Sequence, residues 1–290
     1  VSGLPVATPR PEFVSFLSDY GLADEFVGVC KSVILSIAPH LQIIDVSHNI
    51  PAHDVRAGAL TLVRAAQYLP VGIILAVVDP GVGTDRRAIA VETESCILIG
   101  PDNGLLATGV ALAGGGESAF ELNKPEYHLV APGTTFAGRD IFASVAAHLC
   151  NGVPLSEVGT EIDVASILPG IVPVPREEHG KMLAEVTWVD HFGNCQLNVG
   201  PDEIAHMGSP VRVTIGSLTA ATAGQQPVVR SVPIVRNFSE IGAGLGLVVD
   251  SFGMLALCID RGSAAQQLDL GTTELVVIEP APNNFGGVGF

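Results

Sequence analysis

Positive charge is scarce in this chain. Lysine and arginine total 14 against 30 acidic residues, a formal net charge of −16, and a surface of that sign repels a phosphodiester backbone. Nucleic acid is therefore disfavoured as a partner and a cationic ligand is favoured. Charged residues of either sign are few, 15% of the 290 positions against 48% hydrophobic, which excludes a disordered chain and requires a large buried core. Even so, no apolar run approaches the ~18–20 residues of a membrane helix, because Gly, Pro or a charge interrupts each one. No charged-then-apolar leader opens the sequence, and Val1 to Pro11 reads as a tail without an initiator Met. A cytoplasmic protein with no membrane partner is the expectation.

Reactive motifs are missing too. The five cysteines (Cys30, Cys96, Cys150, Cys195, Cys258) are odd in number, scattered and set in apolar segments, so they read as buried reduced thiols, with no zinc or redox spacing. No Gly-x-Ser-x-Gly elbow occurs, and no histidines stand three or four apart on an expected helix. Covalent catalysis and a metal centre are both disfavoured.

What is present is a change of pattern partway along. In the first half strands alternate with helices. Phe13–Ser18 stops at Asp19-Tyr20-Gly21; a helix follows with Phe26, Cys30, Val33, Ile34 and Ile37 on one face, closed by Pro39. Leu41–Val46 is a strand, Asp54–Leu69 a helix capped by Asp54, and Gly72–Val78 an apolar central strand ending at Asp79-Pro80-Gly81-Val82-Gly83. Strands fit Ala88–Glu92 and Cys96–Gly100, and helices Asn103–Ala113 and Arg139–Cys150. Residues 12–168 thus form an α/β domain with a mostly parallel sheet and flanking helices. The proline-rich stretch 169–181 reads as a linker. Residues 182–280 hold short strands (Met182–Val189, Val211–Ile215, Gly246–Asp250, Met254–Ile259, Glu274–Glu279) between Gly-rich turns, the pattern of a small β-barrel. Residues 281–290 form a second tail, and no internal repeat is visible.

Ligands of parallel sheets bind beyond the carboxyl ends of the strands. Asp19 and Asp79 fall there, and a carboxylate can accept both hydroxyls of a ribose, which suits Asp19. In Asp79-Pro80-Gly81-Val82-Gly83-Thr84-Asp85-Arg86-Arg87 the glycines suggest a phosphate cradle, but no Walker lysine is present, and Arg86 holding Asp79 or a water fits better. In Asp190-His191-Phe192-Gly193-Asn194 the options are a turn with Asn194 left-handed, or Asp190 as an ammonium acceptor with Asn194 facing a nucleobase edge.

These residues resemble the S-adenosylmethionine (SAM) hydroxide adenosyltransferases, or SAM hydrolases, relatives of fluorinases and chlorinases. The resemblance runs from about Phe13 to Glu279 and rests on six ordered motifs: Leu17-Ser18-Asp19-Tyr20-Gly21, Ile44-Asp45-Val46-Ser47-His48, Val78-Asp79-Pro80-Gly81-Val82-Gly83-Thr84, Pro101-Asp102-Asn103-Gly104-Leu105-Leu106, Gly138-Arg139-Asp140-Ile141-Phe142 and Asp190-His191-Phe192-Gly193-Asn194. It implies a trimer whose ligand lies between the N-terminal domain of one subunit and the C-terminal domain of the next. It also implies a cofactor-free displacement at the ribose 5′ carbon that converts SAM, as substrate, into adenosine and L-methionine.

By the same resemblance Asp79 and Arg86 orient the attacking water together with a histidine before Gly-Arg-Asp, a position that is Ala137 here. A methyl group moves no proton, so an impaired hydrolase that still binds SAM is implied, either an active-site variant of a hydrolase scaffold, which is favoured, or a weakened natural member. For binding, the resemblance implies Asp19 on the ribose diol, with Asp24 nearby, and Asp190 on the methionine ammonium. Asn194 and Phe238 are implied on adenine, Ser251 near the methionine carboxylate, and Arg261 and Ser263 on adenine through backbone. Where fluorinase has an Arg after that Ser, this chain has Phe252. Two alternatives stand: a chlorinase-like halogenase, opposed by the Asp79 carboxylate beside an incoming halide, and a non-catalytic adenosine or SAM binder, for which Asp79 and Arg86 are superfluous.

Overall fold

The computed structural model describes residues 10–216 and 227–282, and the chain divides between Ile171 and Val172 into two compact units. The expected tails, 1–11 and 281–290, lie almost wholly outside the described residues.

The first unit is a seven-stranded sheet in the order β2-β1-β3-β5-β4-β6-β7, built from β1 (Phe13–Ser18), β2 (Gln42–Ser47), β3 (Gly72–Val77), β4 (Ala88–Glu92), β5 (Cys96–Pro101), β6 (Ser118–Glu121) and β7 (Thr160–Ile162). β2, β1, β3 and β5 run parallel. β4, β6 and β7 extend the sheet antiparallel, because β5 returns on β4 through a three-residue turn too short for a crossover helix. Every residue of β3 is buried, as its unbroken apolar sequence demands.

Helix α1 (Phe26–Ile37) buries Val27, Cys30 and Ile34, a three- and four-residue spacing that makes one face. Phe26, read as part of that face, is 38% exposed. Helix α2 (Val55–Ala66) begins where Asp54 accepts a hydrogen bond from the Ala57 N–H at 2.8 Å. α3 (Ala107–Leu112) is shorter than the helix expected there. Gly138–Ala143 is a π-helical turn running into α4 (Ser144–Cys150), and α5 is Leu155–Val158.

The second unit is a nine-stranded sheet, β12-β11-β16-β9-β10-β15-β14-β13, with β8 on β9. Its strands are β8 (Arg176–Glu178), β9 (Lys181–Val189), β10 (Cys195–Leu197), β11 (Val211–Ile215), β12 (Val228–Val232), β13 (Ile234–Val235), β14 (Leu245–Val249), β15 (Leu255–Ile259) and β16 (Leu275–Pro280), with α6 at Ala264–Leu268. β12 and β13 sit at opposite ends of this path yet are separated only by Pro233, so the sheet curls into a nearly closed barrel. Inward residues such as Val186, Leu197, Val213, Leu257 and Ile278 fill it. β8 lies within the stretch expected as linker.

Candidate active site

β1 and β3 are neighbours in register, with Ser18 opposite Val77, so the residues just past their carboxyl ends come together. Asp19 and Asp79 both line a cavity of about 820 Å³, along with Tyr20, Glu25, Phe26, His53, Phe136 and Arg139. The two strand-end carboxylates thus face one cavity within the first unit.

Asp79 is held from one side. Arg86 donates from Nε to both carboxylate oxygens at 2.9 and 3.0 Å and from Nη2 to Oδ2, and its guanidinium lies 5.3 Å from the centre of the Phe142 ring. The intervening loop is a pair of turns, Val82 N–H to Asp79 O and Thr84 N–H to Gly81 O, which reverses the chain and brings Arg86 back onto Asp79. Asn103 donates from Nδ2 to Val78 O at 2.9 Å, pinning the strand end. The fork-on-carboxylate geometry fixes one rotamer of Asp79 and one direction for its remaining lone pairs. The loop forms the Arg–Asp pairing that its sequence favours over a phosphate cradle.

Asp19 accepts the His53 N–H at 2.9 Å. His53 has φ +68°, a left-handed conformation that aims this N–H at Asp19. No local sequence pattern announces it. Asp24 is exposed and is absent from the cavity wall, where its neighbour Glu25 stands instead.

Ala137 is buried among core residues directly before the π-helical turn. Its neighbours Phe136 and Arg139 line the cavity, and Ala137 does not. A π turn widens a helix by one residue per turn and is frequent at functional sites. A Cβ at Gly138 would lie 2.0 Å from the Tyr20 hydroxyl, so only glycine admits the phenol there. Tyr20 stands in a box of rings, with centroids 5.7 Å from Phe136, 5.8 Å from Phe26 and 6.5 Å from Phe16. Burial, then the neighbouring Cys30, Asp19 and Asp79, pushes its phenol above the ordinary value, so the hydroxyl stays protonated. Tyr20 lies inside the Leu17–Gly21 motif and Phe136 two residues before Gly138, and no other feature of the sequence marks either.

In the second unit Asp190 holds its own turn. Oδ1 accepts from the Phe192 and Asn194 N–H groups, both at 2.9 Å, and Oδ2 from Asn194 Nδ2 at 2.8 Å. The left-handed residue is Gly193, φ +82°, and not Asn194. A Cβ at Gly193 would meet Ser263 Oγ at 2.0 Å. Ser263 also caps α6 by accepting from Gln266 N–H at 3.1 Å. Arg261, φ +53°, stands two residues earlier, so Asp190, Asn194 and Ser263 form one neighbourhood. Phe238 is 48% exposed and opens a short 3₁₀ turn capped by Asn237. Ser251 is exposed beside Asp250, which accepts from the Phe252 and Met254 N–H groups at 2.8 and 3.0 Å. Asp190-His191-Phe192-Gly193 and Asp250-Ser251-Phe252-Gly253 are thus the same turn built twice, each with glycine at positive φ, a repeat too short to register in the sequence.

Burial pushes the Cys30, Cys150, Cys195 and Cys258 thiols up to about 12, and all five cysteines are unpaired. Among the described residues no cluster of three His, Cys, Asp or Glu side chains could hold a metal, and no helix is long and apolar enough to cross a membrane.

Comparison with known proteins gives the family. The model of the SAM hydroxide adenosyltransferase N-terminal domain matches residues 14–159 and that of its C-terminal domain residues 184–277. An (R)-S-adenosyl-L-methionine hydrolase of Salinispora tropica is 42% identical over 90% of this chain and 94% of its own. A fluorinase of Actinoplanes sp. is 29% identical over 92% and 97%. The crystal structure of an uncharacterized conserved protein from Thermotoga maritima superposes with a TM-score of 0.80 at 34% identity, covering 92% of this chain and 99% of that one. With both halves matched in order and a relative 42% identical over 90% of its length, the chain belongs to the SAM hydroxide adenosyltransferase family.

Proposed function

We propose that this protein hydrolyses SAM to adenosine and L-methionine. The observation that carries the reading is the clamped carboxylate: Asp79, fixed by Arg86, lines the same cavity as Asp19. A water accepted by Asp79 attacks the ribose 5′ carbon opposite the sulfur. The C–O bond forms as the C–S bond breaks, and the bond pair passes to the sulfonium, which leaves as the neutral thioether of methionine. The water's proton departs by way of Asp79 to solvent. A sulfonium needs no general acid, so the protein's task is to hold and orient the water.

Asp19 anchors the ribose diol. Asp190 takes the methionine ammonium on the lone pair that its turn leaves open, since three of its roughly four acceptor sites are occupied. Asn194, Phe238 and the 261–263 backbone face adenine, and Ser251 faces the methionine carboxylate, as the family resemblance implies. Asp24 is left with a supporting role in its loop. A homotrimer with a site shared between subunits follows from the family resemblance alone. The unpaired thiols support a cytoplasmic location. Ala137 in place of the family histidine makes the enzyme slow.

A halogenase is disfavoured by the Asp79 carboxylate. It is disfavoured again at Gly138: the resemblance puts a serine there in fluorinase-like members, and any Cβ at this position would run into the Tyr20 hydroxyl. The test is incubation with SAM in chloride-free buffer, with adenosine, methionine and bound ligand followed by chromatography. Slow, equimolar adenosine and methionine with retained SAM are expected. Absence of SAM binding overturns the reading.

A further inference from the structure

The motif Ile44-Asp45-Val46-Ser47-His48 takes no part in the cavity wall, yet it ends in a buried histidine. His48 is 3% exposed and Ser18 is 0% exposed. Ser18 Oγ lies 2.7 Å from His48 Nδ1, His48 Nε2 lies 3.0 Å from Asp45 Oδ1, and Lys31 Nζ donates to Asp45 Oδ2 at 2.6 Å. A Ser-His-Asp series of this kind invites a nucleophilic role, but a serine with no exposed surface cannot meet a substrate.

Its donors and acceptors instead run in one direction. With Asp45 accepting from Nε2–H, Nδ1 is left to accept the Ser18 hydroxyl proton. Ser18 Oγ is then free to accept from the Tyr20 N–H, at 3.4 Å. His48 itself accepts the Gly21 N–H on its carbonyl at 2.7 Å. The two residues that flank this turn in space are Ser18, immediately before Asp19, and His48, which holds the backbone immediately after Tyr20.

A sheet irregularity makes the meeting possible. β1 and β2 keep register as far as Phe16 opposite Asp45, then shift so that Leu17 faces Ser47. Such a bulge re-aims the residues beyond it, and here it brings His48 level with Ser18. The Phe16 ring closes the other face of the imidazole, with centroids 4.8 Å apart at 72°. Burial alone would raise the Asp45 carboxyl, but the hydrogen bonds from Lys31 and His48 outweigh it and hold it below the ordinary value.

We propose that Ser18, His48 and Asp45 are positioning residues that set the Asp19 carboxylate against the ribose diol. The proposal rests on the diol role given to Asp19 above. A string that is buried at Ser18 and His48 and reaches the surface at Asp45 holds the turn at both ends and fixes where Asp19 leaves β1, and the His53 N–H fixes one of its oxygens. Loss of the string loosens the carboxylate and leaves the rest of the nucleoside pocket as it was.

The test compares affinity of the full chain for adenosine and for 2′,3′-dideoxyadenosine, which lacks the diol, by titration calorimetry. In His48→Phe, which keeps the edge-on ring contact with Phe16 and removes the side-chain hydrogen bonds, adenosine is expected to weaken about tenfold while the dideoxy compound changes less than about twofold. His48→Asn returns an acceptor near the Nδ1 position, and with it most of the adenosine preference. Ser18→Ala, a smaller change in the same buried place, is read in the same way if His48→Phe does not fold. Equal weakening of both nucleosides, or of neither, overturns the positioning role. A parent chain that binds neither nucleoside overturns the site assignment beneath it, a result distinguishable from both.

Discussion

Arg86 meets Asp79 as a fork on a carboxylate, with Nε 2.9 and 3.0 Å from its two oxygens, and both side chains are largely withdrawn from water, at 14% and 6% exposure. Removing the arginine alone strands a buried charge. Arg86→Met is therefore expected to cost about 3–5 kcal/mol of stability and to lower adenosine formation ~10²-fold or more. Arg86→Lys restores the charge without the fork and should fall between the two. Thermal unfolding and single-turnover kinetics with SAM measure the pair. Unchanged turnover in Arg86→Met would remove the clamp from the mechanism.

Ala137 sits at the entrance of the π-helical turn, between two residues of the cavity wall. Ala137→His is expected to raise the rate of adenosine release at least tenfold, and by up to the ~10²–10⁴ that one proton-transfer group contributes. Because position 137 is buried, the variant should also lose some stability. An unaltered rate in a folded variant would favour the non-catalytic binder.

Gly138 and Tyr20 share one volume. Gly138→Ala puts a methyl where the phenol oxygen lies, and Phe16, Phe26 and Phe136 leave that ring little room to retreat. A loss of about 1–3 kcal/mol is expected from overpacking. Tyr20→Phe should recover part of it in the double variant. Additive losses, seen in denaturant unfolding of all four proteins, would mean that the two residues do not compete for space.

His128 and His148 give the fold an acid limit. Burial pushes both imidazoles below their ordinary value of 6.5, and His128 Nε2 is buried without a hydrogen-bond partner among the described residues. The unfolded chain takes up these protons near pH 6.5, whereas the folded chain takes them up only at lower pH. Stability from this source is present above that value and is lost as pH falls through it. His128→Leu is expected to flatten the decline measured between about pH 7.5 and 5.5. An identical decline in the variant would place its origin elsewhere.

Several features of this protein can be read from local pattern. The uninterrupted apolar run of β3 demands burial on both faces. Asp54 before an amphipathic stretch marks the start of α2. Val211–Ile215 has the same bounds in sequence and structure, since alternation and turn residues define a strand with local information only. Asp19 and Asp79 were visible as strand-end carboxylates for the same reason. Helix starts were harder to read: Asn103 looked helical, but its side chain reaches Val78 and the helix begins at Ala107.

By itself the sequence determined the α/β-then-β order, the acidic and thiol-reduced character, and the motifs that carry the family. The tertiary structure alone decided which distant residues share a site. Parallel pairing of β1 with β3 brings Asp19 beside Asp79, sixty positions later. A bulge turns His48 onto Ser18, and a left-handed His53 offers its N–H to Asp19. Each of these depends on register, bulge or backbone sign, which arise when strands pair and chain segments pack, and no residue encodes them in its own neighbourhood.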